Sequence, residues 1–355
     1  MLATYNICES YAWNYAQGPL WTGPIPKPPA TERKTKFFDF ELNSPLGIPA
    51  GPLLNARWVK LYAELGWDLL TYKTVRTVAR ASHPPPNCLY VTPPALLTES
   101  EAGGAIRGSL EAPADLAEIS TTNSLGMPSQ APKVWMADLE KAQGYLQQGQ
   151  VLMVSITGTP GAGKSLQADY VRCAALAKEA GAKIIEANYS CPNVASSEGS
   201  IFADPQFSCA ISRALKKEIG SLPLLIKMGN LPNQRQLEEV VASNAPFVDG
   251  IAGINTVPMQ IVDHEGRQAL PGKGRLISGV CGKAIQQLAQ TFTEQLFQIR
   301  QKQQADFVIC GVGGLLTTQD LARRIAGGAD VVMAATGALW NPLLACEYRE
   351  SLRGP

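Results

Sequence analysis

One stretch of the sequence decides the fold prediction: Ala182-Lys-Ile-Ile-Glu-Ala-Asn-Tyr-Ser-Cys-Pro-Asn193. It begins as an apolar strand and ends in two asparagines, a serine and a cysteine. The ring of Pro192 fixes its own φ and disfavours helix at Cys191, so the thiol is expected in an extended loop. A polar cluster of this kind at a strand end favours a small planar polar ligand over the alternative, a capped turn with an ordinary cysteine.

Seven further apolar runs resemble the strand part of this stretch, and amphipathic segments separate most of them. The eight predicted strands cover residues 46–50, 69–73, 151–157, 182–188, 222–227, 248–254, 307–310 and 330–334. The eight predicted helices cover residues 56–65, 133–147, 166–180, 205–219, 234–243, 283–301, 318–326 and 342–352. This alternation predicts an α/β fold, a (β/α)8 TIM barrel rather than an open sheet. Residues 74–131 form a long insertion after strand 2, which we expect to carry functional structure.

Residues 1–35 are predicted to form an N-terminal extension, and residues 36–355 the barrel domain. The extension is rich in aromatic residues and then in proline, and proline at that density predicts no regular structure. The aromatic residues indicate that the segment packs on the body of the protein. It could cover a pocket, cover an oligomer face or simply wrap the barrel, and the sequence does not choose among these.

Composition excludes several classes of protein. The 355 residues carry a formal charge of +1, which argues against nucleic acid or an anionic membrane surface as a partner. Eight cysteines occur without a Cys-x-x-Cys pair, so we expect neither an iron–sulfur cluster nor a zinc site. Scattered thiols without a secretory signal predict a cytoplasmic location. The chain contains no apolar run of the roughly 18 residues that a membrane span needs.

The ends of the predicted strands indicate what the barrel binds, because barrel chemistry lies at the C-terminal ends of strands. Cys310-Gly-Val-Gly-Gly314 and Ala334-Ala-Thr-Gly337 follow the last two strands, where glycine frees backbone N–H groups for an anion. Lys73 and Lys227 end two other strands and are costly to bury unless they face an anionic or electron-rich group. These features predict a phosphorylated cofactor with an aromatic headgroup.

Six segments, in this order along the chain, resemble the dihydroorotate dehydrogenase family. They are Asn123-Ser-Leu-Gly-Met-Pro128, Asn188-Tyr-Ser-Cys-Pro-Asn193, Lys227, Ile254-Asn-Thr256, residues 311–314 and Ala335-Thr336. The resemblance implies an FMN-dependent barrel that oxidises dihydroorotate to orotate in pyrimidine biosynthesis. It also implies an electron acceptor, which could be fumarate, a quinone or a partner reductase, and a homodimer as a possible assembly.

The resemblance further implies a role for individual residues. Cys191 is the base that takes the C5 proton while C6 delivers hydride to flavin N5, and Lys73 is a second catalytic residue. A free thiol has a pKa of ~8.5, so it needs little adjustment to act near neutrality. The implied substrate residues are Lys73, Asn123, Leu125, Gly126, Met127, Asn188, Asn193, Asn255 and Thr256. The implied flavin residues are Ala50, Gly51, Lys73, Thr74, Asn123, Asn188, Lys227, Ile254, Gly279, Gly282, Gly313, Gly314, Ala335 and Thr336.

Two alternatives stay open at this point. Ile254-Asn-Thr-Val257 and Phe202-Ala-Asp-Pro205 look equally like the flavin domain of dihydropyrimidine dehydrogenase. In addition, Gly158-Thr-Pro-Gly-Ala-Gly-Lys-Ser165 fits the P-loop pattern at every fixed position, which is typical of a nucleotide-binding protein. The third strand of a barrel is an unusual place for a P-loop, and no strand ends in a convincing magnesium-binding aspartate. A glycine-rich turn at the barrel mouth is therefore the favoured interpretation of residues 158–165.

Overall fold

The computed structural model describes residues 3–31, 34–92, 96–161, 164–190 and 200–353. Its strands are β1 Thr35–Phe37, β2 Phe40–Leu42, β3 Leu46–Ile48, β4 Leu69–Val75, β5 Tyr90–Thr92, β6 Ala105–Ser109, β7 Ser120–Thr122, β8 Val151–Ile156, β9 Ile184–Asn188, β10 Leu224–Lys227, β11 Gly250–Gly253, β12 Val257–Val262, β13 Ile277–Gly282, β14 Val308–Val312 and β15 Val331–Met333. Its helices are α1 Tyr11–Gln17, α2 Ala56–Glu64, α3 Pro132–Gln143, α4 Leu166–Glu179, α5 Pro205–Ile219, α6 Gln234–Asn244, α7 Gln286–Gln303, α8 Thr318–Ala326, α9 Thr336–Trp340 and α10 Leu344–Ser351.

Eight of the strands close into one barrel, in the order β3, β4, β8, β9, β10, β11, β14 and β15. Each neighbouring pair is parallel. Every residue of β4 and β8 is buried, as expected for strands that have side chains inside the barrel and helices outside it. The predicted (β/α)8 barrel is confirmed, and all eight predicted strands and helices form close to their predicted bounds.

Polar side chains begin five of the outer helices. The capping residues are Asn55, Ser165, Asp204, Asn233 and Thr317, and each accepts a backbone N–H from the first helical turn. Such a cap is worth about 1 kcal/mol, because it satisfies an N–H group that has no partner inside the helix. The turn from strand into helix is therefore encoded locally in the sequence.

The amino-terminal end of the barrel, opposite the strand ends that carry the predicted site, is closed by a hairpin that the sequence analysis did not predict. Strands β1 and β2 pair in antiparallel fashion, and Phe37 and Leu42 are fully buried there. Both pack in one cluster with the first residues of several barrel strands, including Leu69 and Ile184. The hairpin thus seals the amino-terminal end and leaves the carboxyl end as the only mouth among the described residues.

A second sheet of five strands stands at that mouth. Strands β5, β6 and β7 come from the predicted insertion, and β12 and β13 come from the segment after β11. The sheet closes in the order β12, β13, β7, β5 and β6. The insertion does carry structure, as predicted, but its partner strands were missed because Pro258 and the glycines of β13 weaken the strand pattern. The sheet brings Asn123, just after β7, next to Thr256, just before β12.

The N-terminal segment contains a helix, so the prediction that it has no regular structure is wrong for α1. The prolines begin only at Pro19, and the Ser10 side chain caps the helix by accepting the N–H of Trp13 at 3.1 Å. The buried Thr4 hydroxyl lies 2.6 Å from the hydroxyl of Tyr62, and the Thr4 N–H donates to Leu339 at 2.9 Å. The segment therefore packs on the barrel, as the aromatic residues indicated. Its assignment as a separate unit of residues 1–35 stays a prediction.

Within the described ranges, none of the helices combines the length and the apolar character that crossing a membrane would require.

We expect Asn14→Leu to destabilise the protein. The Asn14 side chain accepts the N–H of Asn6 at 2.8 Å and donates to the carbonyls of Asn6 and Ser10. Leucine fills a similar volume but leaves these groups without partners, at a cost of about 1–3 kcal/mol for each group that stays buried. Urea unfolding measures the loss. The control is Gln17→Leu on the exposed face of the same helix, which should change stability by less than about 0.5 kcal/mol. Equal stability of the two variants would contradict this account of the segment.

Candidate active site

The barrel mouth contains two adjoining cavities. The larger has a volume of about 880 Å³ and the smaller about 480 Å³. They share the wall residues Ala50, Gly51, Asn123, Leu125, Lys227, Asn255 and Thr256. This shared wall means that two ligands bound side by side would touch each other there.

Most of the residues predicted from the sequence line these cavities. The larger cavity is lined by thirteen of them: Ala50, Gly51, Asn123, Leu125, Lys227, Ile254, Asn255, Thr256, Gly282, Gly313, Gly314, Ala335 and Thr336. The smaller cavity adds Lys73, Thr74, Met127 and Asn188. Their assignment to a particular ligand stays a prediction. The predicted base Cys191 and the predicted substrate residue Asn193 lie outside the described residues.

Two predicted glycines line neither cavity. Gly126 has a φ of +77°, and a Cβ there would lie 2.6 Å from Nε2 of His83. A Cβ on Gly279 would lie 2.0 Å from the Thr256 hydroxyl and 2.8 Å from Oδ1 of Asn123. Both glycines therefore shape the site indirectly, since each one leaves room for a neighbouring side chain.

The amide groups of the smaller cavity hold each other in place. Oδ1 of Asn188 accepts the N–H of Ser190 at 3.2 Å and an N–H of the Asn255 amide at 3.4 Å. Oδ1 of Asn255 accepts the N–H of Thr256 at 2.9 Å. The hydroxyl of Thr256 is buried and finds no hydrogen-bond partner among the described residues. A buried hydroxyl without a partner is costly, so this oxygen favours a polar ligand at the shared wall.

The floor of the site carries buried positive charge. The Lys73 and Lys227 residues are 6% and 3% exposed. Glu186 pairs in register with Leu225, two residues before Lys227, and so lies one layer deeper on the same inward face. Neither carboxylate oxygen of Glu186 receives a hydrogen bond from the described residues. Burial lowers the pKa of Lys227, while the negative charge of Glu186 opposes that shift. An anionic or electron-rich ligand would stabilise the charged lysine further.

A glycine turn after β14 can approach an anion closely. Gly313 and Gly314 have φ values of +103° and +69°, a region that disfavours other residues. A Cβ on Gly314 would lie 2.3 Å from Cα of Gln286, so a larger residue does not fit. The turn faces Ala335 and Thr336 across the larger cavity. Backbone N–H groups at such a turn suit an anionic group such as a phosphate, and the apolar walls of the larger cavity suit a flat ring.

Several residues of the larger cavity were not predicted as site residues. Tyr5 is 5% exposed, its hydroxyl has no hydrogen-bond partner within the described ranges, and burial raises its pKa. The Cys281 thiol lies 3.3 Å from the Thr121 hydroxyl, and the Thr336 hydroxyl donates to it at 3.5 Å. Burial raises the pKa of Cys281 as well. The aromatic content predicted that the first segment packs on the body, but nothing in its sequence shows which surface it covers.

Neither cavity is lined by residues 158–161 or 164–165, the described part of the glycine-rich loop that fits the P-loop pattern. The N–H of Thr159 donates to the carboxylate of Asp169 at 2.8 Å, and the carbonyl of Gly158 accepts from Arg76 at 3.0 Å. One N–H group of the loop is therefore already taken by a carboxylate, which disfavours a phosphate beside it. Lys164 is exposed, and the exposed Ser165 caps α4. The glycine-rich turn at the barrel mouth remains the interpretation that these contacts favour.

Comparison with known proteins gives a consistent result. Residues 111–348 match the sequence family described as Dihydroorotate dehydrogenase. The chain is 36% identical to the dihydroorotate dehydrogenase of Dictyostelium discoideum, over 98% of this chain and 96% of that protein. It is 29% identical to the dihydroorotate dehydrogenase B (NAD(+)) catalytic subunit of Staphylococcus carnosus, over 53% of this chain and 59% of that subunit. It is 34% identical to the NAD-dependent dihydropyrimidine dehydrogenase subunit PreA of Escherichia coli strain K12, over 54% of this chain and 45% of that subunit.

We expect Lys164→Ala to leave ligand binding at the barrel mouth unchanged, because the exposed Lys164 lines neither cavity. The purified variant should retain the same flavin content as wild type, measured by absorbance after denaturation. Isothermal titration should also show no tight binding of ATP to the wild type. Loss of flavin in the variant, or ATP binding that Lys164→Ala abolishes, would restore the P-loop interpretation.

Proposed function

The chain belongs to the dihydroorotate dehydrogenase family, and from that premise we propose that it binds FMN at the barrel mouth and oxidises dihydroorotate to orotate. Enzymes of this family are flavin-dependent oxidoreductases. The observation that carries the proposal is the pair of adjoining cavities, one ending at a glycine turn and the other walled by asparagines and lysines. Such a pair suits a flavin and a small ring that must be in contact for hydride transfer.

The larger cavity is the proposed FMN site. Gly313 and Gly314, with Ala335 and Thr336, would hold the phosphate. Gly51 has a φ of +134°, and no atom lies within 4 Å of the position that its Cβ would take. That open space on the shared wall leaves room for a flat ring to approach the backbone. When bound, the flavin supplies the acceptor for the hydride that leaves C6 of the substrate.

The smaller cavity is the proposed dihydroorotate site. Amide side chains offer both donors and acceptors, which suits a ring that carries C=O and N–H groups. We propose that Asn123, Asn188 and Asn255 orient the ring in this way. Dihydroorotate also carries a carboxylate, which dihydrouracil lacks, and the buried Lys73 and Lys227 favour an anionic ligand. We propose Asn193 as a further substrate residue from the sequence alone.

Cys191 is the proposed base. Its thiolate would take the proton from C5 of the ring while the asparagines hold the ring in place. Cys191 follows Ser190 directly in the sequence, and Ser190 lines the smaller cavity. The Asn255 amide donates to the carbonyl of Ser190, so the backbone that leads to the base is tied to the substrate site.

A dihydropyrimidine dehydrogenase activity is the second candidate, because the PreA subunit is 34% identical to part of this chain. That match covers 54% of the chain, whereas the match to the Dictyostelium dihydroorotate dehydrogenase covers 98%. Dihydroorotate is therefore the favoured substrate. An electron acceptor completes the cycle, and fumarate, a quinone and a partner reductase are the three classes that an anaerobic reoxidation assay separates.

Anaerobic bleaching of the bound flavin tests the proposed substrate. The purified protein should absorb near ~450 nm, as an oxidised flavin does, and dihydroorotate should bleach this band. Dihydrouracil and dihydrothymine should bleach it far more slowly, because they lack the carboxylate that Lys73 and Lys227 favour. Colourless protein that takes up no added FMN would refute the cofactor assignment. Faster bleaching by dihydrouracil would instead select the second candidate.

Cys191→Ala tests the proposed base. The variant should keep its FMN and bind orotate, because the asparagines remain, while bleaching by dihydroorotate slows by ~10²–10⁴-fold. Cys191→Ser should lie between the alanine variant and wild type, since its hydroxyl keeps the geometry but has a much higher pKa. Rapid mixing across pH should show the wild-type rate rising through an apparent thiol pKa, a dependence that Cys191→Ala loses. If Cys191→Ala bleaches as fast as wild type, another residue is the base.

A further inference from the structure

Arg324 is a buried cation directly behind the glycine turn after β14. It lies on α8 and is 1% exposed. Its guanidinium donates to Oε1 of Gln290 at 3.0 Å and to the carbonyls of Gly313 at 3.0 Å, Val312 at 3.3 Å and Gln286 at 3.3 Å. All four acceptors are neutral oxygens. Burial of a charged group is unfavourable, so the position of Arg324 calls for a compensating interaction.

The contacts of Arg324 determine which way the peptide groups of the turn face. In a planar trans peptide the N–H points away from the C=O. Arg324 holds the carbonyl of Gly313, and the Gln286 amide holds the carbonyl of Gly314 at 2.9 Å. The carbonyl of Val312 accepts the N–H of Ile254 at 2.9 Å as well as the more distant guanidinium of Arg324. The N–H of Gly314 is thereby directed away from Arg324, and the N–H of Leu315 is directed away from the Gln286 amide. The N–H groups of Gly314 and Leu315 donate to no backbone acceptor among the described residues, and both residues line the larger cavity.

The sequence around the turn leaves room for this arrangement. A Cβ on Gly311 would lie 2.6 Å from Cγ of Arg324, so a larger residue at that position would push the arginine away. Burial lowers the pKa of Arg324 to about 10, while the charges of Asp320 and Glu294 oppose the shift. Arg324 therefore stays protonated at neutral pH, with its positive charge on the far side of the turn from the cavity.

We propose that Arg324 is a positioning residue for the flavin phosphate. Together with Gln286 it holds the turn of residues 313–315 so that the N–H groups of Gly314 and Leu315 can face the cavity, and it places a positive charge behind them. This inference rests on the proposed function, which puts the phosphate at this turn. Preorganised N–H groups backed by a buried charge bind an anion more strongly than the same groups in a mobile loop. If Arg324 only stabilised the fold, its replacement would weaken the binding of FMN and of riboflavin to the same extent.

Riboflavin provides the decisive comparison, because it differs from FMN only in lacking the phosphate. Flavin-free full-length protein is titrated with each ligand, and the dissociation constants are read from the quenching of flavin fluorescence. Wild type should bind FMN more tightly than riboflavin. Arg324→Lys keeps a charge but loses the planar fork, so it should weaken FMN binding by about 10- to 100-fold. Its riboflavin affinity should stay within about threefold of wild type. Arg323→Lys, an exposed neighbour on the same helix, is the matched control and should change neither constant.

The possible outcomes separate this inference from the proposed function. Equal weakening of both ligands by Arg324→Lys, or unchanged FMN binding, would overturn the role of Arg324 while FMN binding by wild type stands. Failure of wild type to bind either flavin would instead refute the proposed function.

If Arg324→Lys does not fold, Gln286→Met tests the same turn. It removes the hydrogen bond to the Gly314 carbonyl and keeps the positive charge of Arg324. That variant should lower FMN affinity by about 3- to 10-fold and spare riboflavin. An unchanged ratio of the two constants in Gln286→Met would overturn the inference.

Discussion

Closure of the parallel barrel is the constraint on which the rest of this structure depends. Its strands pair on both sides and are covered by helices, so polar side chains find water or a ligand only where the strands end. Lys73, Asn188 and Lys227 lie at or near the carboxyl ends of β4, β9 and β10. The hairpin with Phe37 and Leu42 seals the other end. The fold thus gathers amide and ammonium groups from distant parts of the chain around one opening.

Burial of charge links this architecture to ligand binding. Lys227 and Arg324 are both almost inaccessible to water, and burial lowers the pKa of each. Glu186 lies below Lys227 but makes no hydrogen bond to the described residues, so it compensates the lysine only at a distance. Buried cations reduce the stability of the chain without ligand. An anion bound near either cation would recover part of that loss, which is how a site can be selective for anions without an exposed positive surface.

Local patterns carried most of the fold prediction, and non-local contacts account for what was missed. Apolar runs and amphipathic periods located all eight barrel strands and helices, and family resemblance located most cavity residues. The second sheet escaped because β6 pairs with β12, far along the chain, and neither pattern is strong alone. Tyr5 escaped for the same reason, since only tertiary packing brings the N-terminal segment to the cavity. Helix α1 was missed because proline content was averaged over a segment whose prolines begin after the helix ends.

Two glycine-rich loops in this chain show why composition alone does not define an anion site. Residues 158–165 satisfy every fixed position of the P-loop pattern, yet the Thr159 N–H is taken by the buried Asp169 carboxylate. The turn with Gly313 and Gly314 has a less specific sequence, yet Arg324 and Gln286 hold its carbonyls and both glycines line the larger cavity. Glycine permits the backbone to approach a ligand in both loops. Buried cations contact both loops, since Arg76 donates to the carbonyl of Gly158 as Arg324 does to that of Gly313. The difference lies in the anion, because the Asp169 carboxylate accepts the Thr159 N–H, whereas no carboxylate among the described residues accepts the N–H of Gly314 or Leu315. A phosphate is therefore favoured at the second loop.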